Sequence, residues 1–145
     1  MIDEGNRELY LDLMKRCLTN MIYPEGEYFD FIPANKIKQF LFKKLFVPLA
    51  TKFNAKLIRG NNYNESMRIL GTDWPPMAHT MIGIRGLDNL QHCVVEVIKN
   101  NIPGDLIETG VWRGGATIFM RAILKAYRVT DRKVWVADSF EGLPL

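Results

Sequence analysis

The segment Asp105-Leu-Ile-Glu-Thr-Gly-Val-Trp-Arg-Gly-Gly115 limits the fold more than any other. It compresses an apolar run, a glycine turn and the start of a helix into 11 residues. Leu106-Ile107 is set off by Pro103-Gly104 before it and Gly110 after it, so it reads as a short buried strand. From about Gly115 to Tyr127, the residues Ile118, Phe119, Ala122, Ile123 and Ala126 recur at helical spacing and are expected to face a sheet. Val129 to Lys133 turns the chain, and Val134-Trp-Val-Ala137 is an apolar strand that stops at Asp138. Strand, crossover helix and second strand in this order predict a parallel, right-handed βαβ unit. The fold class is therefore α/β and Rossmann-like, with ligands expected outside the carboxyl ends of the strands.

The residues at those strand ends suggest a chemistry. Gly110 has no Cβ and can turn the chain sharply while letting backbone approach a ligand. Gly114 and Gly115 are expected to let the helix begin close to the sheet with its first amides available. Asp138, 23 residues beyond Gly115, is placed to accept hydrogen bonds from two ribose hydroxyls. Glu108 is a second acceptor at the end of the first strand, better suited to an ammonium or hydroxyl than to a phosphate. Dinucleotide sites need a second glycine where this chain has the bulky Trp112. That disfavours NAD and favours a nucleoside carrying an amino acid, of which S-adenosylmethionine is one. The competing reading is a plain tight turn between solvated acids.

Composition leaves a soluble globular protein as the default. Hydrophobic residues make up 48% and charged residues 24%, and the net charge is only +3. The basic residues are dispersed, so nucleic acid is not expected as a partner. The start of the chain, Met1-Ile-Asp-Glu-Gly-Asn6, is too polar for a secretory signal, which makes the cytoplasm the expected location. Cys17 and Cys93 each fall inside an apolar helical pattern and are expected to be buried free thiols.

Upstream, Glu8 to Tyr23 has a helical period through Tyr10, Met14, Cys17, Leu18 and Met21, closed by Pro24 and Gly26. Glu27 to Asn35 shows no periodicity and reads as loop. Lys36 to Phe53 places Phe42, Leu45, Phe46, Leu49 and Phe53 on one helical face among five lysines, with Pro48 expected to kink or divide the helix. Such a helix lies on a membrane surface or, the favoured reading, packs on its own domain or on a partner chain. Asn61 to Pro76 reads as a linker or mobile loop. A second helix is predicted from Met81 to Ile98, with Gly83 and Gly86 implying close packing or a bent start. Residues 1–76 thus form a helical N-terminal region with a basic amphipathic helix and linker, and residues 77–145 the first βαβ part of a Rossmann-like domain.

Two blocks resemble the macrocin O-methyltransferase family. They are Gly104-Asp-Leu-Ile-Glu-Thr-Gly-Val-Trp-Arg-Gly-Gly-Ala116 and Val134-Trp-Val-Ala-Asp-Ser-Phe-Glu-Gly-Leu-Pro144. Glu8-Leu-Tyr-Leu-Asp-Leu-Met-Lys-Arg-Cys-Leu-Thr-Asn20, Ala78-His-Thr-Met-Ile-Gly83 and Leu87-Asp-Asn-Leu90 are similar as well, so the resemblance covers about half of the chain. It implies an S-adenosylmethionine-dependent, magnesium-assisted enzyme that methylates a sugar hydroxyl of a natural product or glycan. By position, Glu108, Thr109, Gly110, Val111 and Trp112 would form the cofactor turn. Asp138 and Ser139 would surround ribose and adenine, and Thr80 and Met81 would lie over the cofactor. For His79 a local hydrogen bond is at least as good a reading as a functional role. Residues 24–76 depart from the family pattern and read as an elaboration. In the family the metal ligands and catalytic base lie on later strands, so no catalytic or metal-binding residue is assigned in this chain. The sheet is expected to be incomplete at Leu145, the chain alone to be an inactive N-terminal portion, and a nucleotide-binding or partner-binding module without catalysis is the alternative. Partners left open are a homo-oligomer and a membrane surface.

Overall fold

The computed structural model of the chain describes residues 3–24, 27–60 and 62–142. Met1, Gly26, Asn61, Pro144 and Leu145, named above, lie outside them. Helix α1 (Glu4–Leu18) is followed by β1 (Tyr28–Asp30), then α2 (Lys36–Leu41), a π-helical turn (Phe42–Phe46) and α3 (Val47–Lys52). Next come β2 (Ile58–Gly60), α4 (Glu65–Leu70), α5 (Gly83–Lys99), β3 (Leu106–Thr109), α6 (Gly115–Ala126) and β4 (Val134–Ala137). The order is α/β with two small sheets, β1 antiparallel to β2 and β3 parallel to β4.

Two compact units emerge, one of residues 1–24 with 64–145, the other of residues 25–63. This division differs from a break at residue 76, because α1 packs on the same core as the βαβ unit. Leu11 and Leu18 of α1, Leu87, Val94 and Val95 of α5, and Phe119, Ile123 and Leu124 of α6 form one buried cluster. Helices α1 and α5 therefore share α6 as their common neighbour, and α6 also covers the sheet. Polar contacts reinforce the α1–α5 seam: Lys15 Nζ meets Asp88 Oδ1 at 2.5 Å and Gln91 Nε2 donates to Glu8 Oε2 at 3.0 Å.

Several expectations shift in phase. In α1 the buried residues are Leu11 and Leu18, whereas Tyr10 and Cys17 face outward. Cys93 is exposed too, so neither thiol is the buried one that its apolar neighbours predicted. In α6 Ile118 is exposed while Phe119, Ala122, Ile123 and Ala126 are buried. The strands are covered on one face only. Leu106 and Val134 pack against the α6 core. Ile107 is 60% exposed and Trp135 52%, so the opposite face of the sheet is open rather than buried. Side chains two apart share a face, and this alternation decides which strand residues α6 can reach.

The segment read as a linker holds an ordered helix. Asn64 caps α4, its side chain accepting from Met67 N at 3.0 Å, and Gly71 ends it in the left-handed conformation. Its Arg68 is buried, paired with Asp73 at 2.7 Å and donating to the Thr19 carbonyl at 2.5 Å. On either side of α4 the described residues of this stretch are irregular, as expected of a loop, but its polar sequence also holds a buried ion pair. The expected close packing at the start of α5 is present: Gly83 is buried with φ +67, and a Cβ there would meet the Gly71 Cα at 2.8 Å.

In the second unit, the stretch taken for loop contains β1, paired with β2 in the register Tyr28–Gly60, Phe29–Arg59 and Asp30–Ile58. Beside this strand pair Lys56 Nζ bridges to Asp30 at 2.7 Å, which raises the lysine pKa. The helical run 36–52 is not divided at Pro48. Instead it widens into one π-helical turn just before the proline, with Val47 N donating to Phe42 O. That turn absorbs the missing proline amide and the clash with the preceding carbonyl. No residue of α2, the π turn or α3 is buried. Phe42 contacts both Phe31 and Phe46 along a groove of about 760 Å³ lined also by Leu49, Phe53 and Leu57. No helix among the described residues is long and apolar enough to cross a membrane.

Candidate functional site

The carboxyl ends of β3 and β4 lie side by side because the two strands pair in parallel, Glu108 opposite Val136 and Thr109 opposite Ala137. One further ladder bond, Gly110 N to Ala137 O at 2.9 Å, carries the pairing to the turn. Gly110 then adopts φ +76, where a side chain would be strained, and the space where its Cβ would point is open. The turn runs to Gly114, also left-handed at φ +77, which serves as the N-cap of α6 without offering a capping side chain.

Two carboxylates hold this turn. Glu108 is two residues beyond Leu106, so it shares the face of β3 that α6 covers. Its Oε2 accepts from Thr117 N at 2.7 Å and from the Thr117 hydroxyl. A strand carboxylate thus performs the capping that Gly114 cannot, at the helix end where negative charge is favoured. Asp138 accepts from Val111 N through Oδ2 and from Phe140 N through Oδ1 at 2.9 Å. It joins the end of β4 to the turn after β3. The Phe140 amide first, then the Val111 amide, hold its carboxyl below the usual carboxylate range.

The sign of the resulting pH dependence follows from that depression. The folded state binds the proton less well than the unfolded chain, so the Asp138 contribution is complete above the unfolded pKa of about 4. It is lost as pH falls through the lower folded value. Amide resonances of Val111 and Phe140 should therefore titrate together below about pH 4, and D138N should abolish the shared titration. Independent titration of the two amides would remove Asp138 as their common acceptor.

The other residues expected at the site fall into place unevenly. Thr80 is buried, its amide donating to Leu18 O at 3.3 Å and its hydroxyl accepting from Ile82 N at 3.4 Å. His79 bonds through its backbone to distant segments instead of locally: its amide donates to Leu18 O at 2.8 Å and its carbonyl accepts from Gly115 N at 2.9 Å. Gly115 lies closest to this segment and not to the sheet, since a Cβ on it would sit 2.6 Å from Thr80 Cβ. The amides expected to stay available at the start of α6 are consequently engaged at Gly115 and Thr117. Met81 is half-buried, with its carbonyl bordering Gly71 at the end of α4. Thr109 and Ser139 are exposed, the serine Oγ accepting from Glu141 N at 3.4 Å. Trp112 meets Trp74 edge-on at a centroid distance of 5.9 Å. Trp74, Arg113 and Thr117 were missed by sequence reasoning. Only Thr117 carried a signal, a hydroxyl in the first turn of a helix with a glycine N-cap.

These elements match a known family. The model of macrocin-O-methyltransferase (TylF) matches residues 7–145. The chain belongs to the macrocin O-methyltransferase family. It is 47% identical over 141 residues to the 8-demethyl-8-(2,3-dimethoxy-alpha-L-rhamnosyl)-tetracenomycin-C 4'-O-methyltransferase of Streptomyces olivaceus, covering 97% of this chain and 44% of that protein. It is 47% identical over 137 residues to the mycinamicin III 3''-O-methyltransferase of Micromonospora griseorubida, covering 94% and 44%. Among solved structures it is similar to the O-methyltransferase NovP, with a TM-score of 0.68, 46% identity, and 95% of this chain against 44% of that one. The chain therefore spans less than half the length of the curated relatives it matches. The matched span includes residues 24–76, so that segment belongs to the family's chain and is no separate elaboration.

Proposed function

We propose that this chain carries the S-adenosylmethionine half-site of a Rossmann-like O-methyltransferase that acts on a sugar hydroxyl of a natural product or glycan. The observation that carries the reading is the pair of carboxylates at the turn. Glu108 and Asp138 already occupy the amides of Thr117 and Val111. A pyrophosphate would meet two negative charges and find those amides taken, whereas a ligand bearing an ammonium, a sulfonium and ribose hydroxyls suits such surroundings. The left-handed Gly110 and Gly114, with open space on their Cβ side, leave bare backbone for it.

When bound, S-adenosylmethionine supplies a methyl group activated on a positively charged sulfur. In this reading Glu108 balances the amino-acid end, Gly110, Val111 and Trp112 border it, and Asp138 with Ser139 meets ribose and adenine. Thr80 and Met81 close the other side. Positioning of the acceptor oxygen is the main contribution to such an in-line transfer. Among the described residues no three of His, Cys, Asp and Glu form a group that could hold a metal. These residues do not fit magnesium, and no step is assigned to it. O-methylation is the activity named for the tetracenomycin and mycinamicin relatives, the first of them on a rhamnosyl-bearing compound, and this supports a sugar hydroxyl as the substrate class here.

Titration calorimetry with S-adenosylhomocysteine and with NAD tests the reading on the intact protein. Binding of the first, none of the second, and loss of binding in G110V are the expected results. NAD binding, or S-adenosylhomocysteine binding unaffected by G110V, would sink it.

A further inference from the structure

Residues 76–80 form a strut between the end of α1 and the glycine turn. On one side His79 N and Thr80 N donate to Leu18 O at 2.8 and 3.3 Å. On the other, Gly115 N donates to His79 O at 2.9 Å. One side chain completes the junction. Arg113, in the turn itself, donates through Nη1 to both Pro76 O at 2.7 Å and Ala78 O at 3.0 Å. Its guanidinium carbon also lies 4.2 Å from the centre of the Trp112 ring, while Trp74 closes on that ring from 5.9 Å.

We propose that Arg113 is a positioning residue of the site: it ties the 76–80 strut to the glycine turn and holds Trp112 in place. Thr80 and Met81 are thereby held beside the turn before any ligand arrives. The inference rests on the cofactor reading above and deepens it. Planarity explains the residue type. A flat guanidinium can stack on an indole face and present donors in its own plane to two carbonyls at once. A lysine ammonium keeps the charge but not that combination. The energetic role is preorganisation, since a strut ordered in advance need not be ordered at the moment of binding.

The test uses R113K in the intact protein, with S-adenosylhomocysteine affinity and amide hydrogen exchange as readouts. Affinity is expected to fall about tenfold, with faster exchange at Thr80 and Gly115 in the unliganded protein. Exchange at Ile123 in the buried core and the unliganded melting temperature should stay as in the wild type, because Arg113 is exposed. Affinity within about twofold of wild type overturns the proposal, as does unchanged exchange at Thr80 and Gly115. A lowered affinity matched by loss of the unliganded folded state also overturns it, because that marks a general structural role. R113M separates charge from bridging: it should resemble R113K, and a far larger loss in R113M alone would make charge the whole effect and overturn the bridging role. Failure of the wild type to bind S-adenosylhomocysteine is a different outcome, which removes the cofactor reading and this inference with it.

Discussion

R68A is expected to lower the unfolding free energy by about 3–5 kcal/mol, the cost of leaving a buried charge without its partner. Arg68 is 1% exposed and bridges two separate segments. Its Nε pairs with Asp73 Oδ2 at 2.7 Å, and its Nη1 donates to the Thr19 carbonyl at 2.5 Å. Thr19 is the C-cap of α1, where carbonyls lack helical partners and a positive charge is favoured by the helix dipole. Truncation would strand Asp73, whose side chain is only 13% exposed, together with that carbonyl. R68K should recover little, because one ammonium cannot reproduce two donors in a fixed fork. Urea denaturation of the intact protein measures both. A loss below about 1 kcal/mol for R68A would show that Arg68 is not the tie between α4 and the end of α1.

G115A is expected to destabilise by about 1–3 kcal/mol, against the usual sign for a glycine inside a helix. In a helix without neighbours, alanine would gain up to about 1 kcal/mol over glycine. Here the added Cβ would lie 2.6 Å from Thr80 Cβ and 2.7 Å from the His79 carbonyl carbon. The second neighbour is backbone, pinned by the Gly115 N to His79 O bond and by two bonds to Leu18 O, so it has little room to yield. The clash would also push the strut away from the turn, so S-adenosylhomocysteine affinity should fall with stability. Thermal unfolding of G115A decides the sign. A raised melting temperature would show that the strut can shift and that Gly115 is not needed for close approach.

The contrast between these two sites bears on what was legible in advance. The βαβ unit was legible because its signals are local: apolar runs bounded by glycine and proline, then a 3.6-residue period from Gly115 to Ala126. Strand β4 was placed at Val134–Ala137 as expected, and Asp138 does end beside the turn. Arg68 was not legible, because an arginine in a polar stretch carries no mark of the carbonyl 49 positions away that it serves. The phase of α1 was misjudged for a related reason. The expected stripe through Tyr10, Met14, Cys17 and Leu18 was right at Leu18 but not at Tyr10 or Cys17; Leu11 is the residue buried in their place, and only the position of α6 makes that choice.

At the site, sequence alone determined the elements that depend on neighbours along the chain. These are the strand, the left-handed glycine turn, the helix, and the two acids at the strand ends. Tertiary structure decided what those acids do and what lies next to them. Glu108 caps α6 because strand alternation points it at Thr117, and Asp138 locks the turn because parallel pairing brings Ala137 beside Gly110. The strut from Pro76 to Thr80 came from tertiary structure alone. It is built largely from backbone amides and carbonyls of residues 18, 79, 80 and 115, and every residue type offers a carbonyl while all but proline offer an amide. Such bonds leave no side-chain signature. A glycine at 115 permits the approach, but only the packing of α1 against α6 requires it.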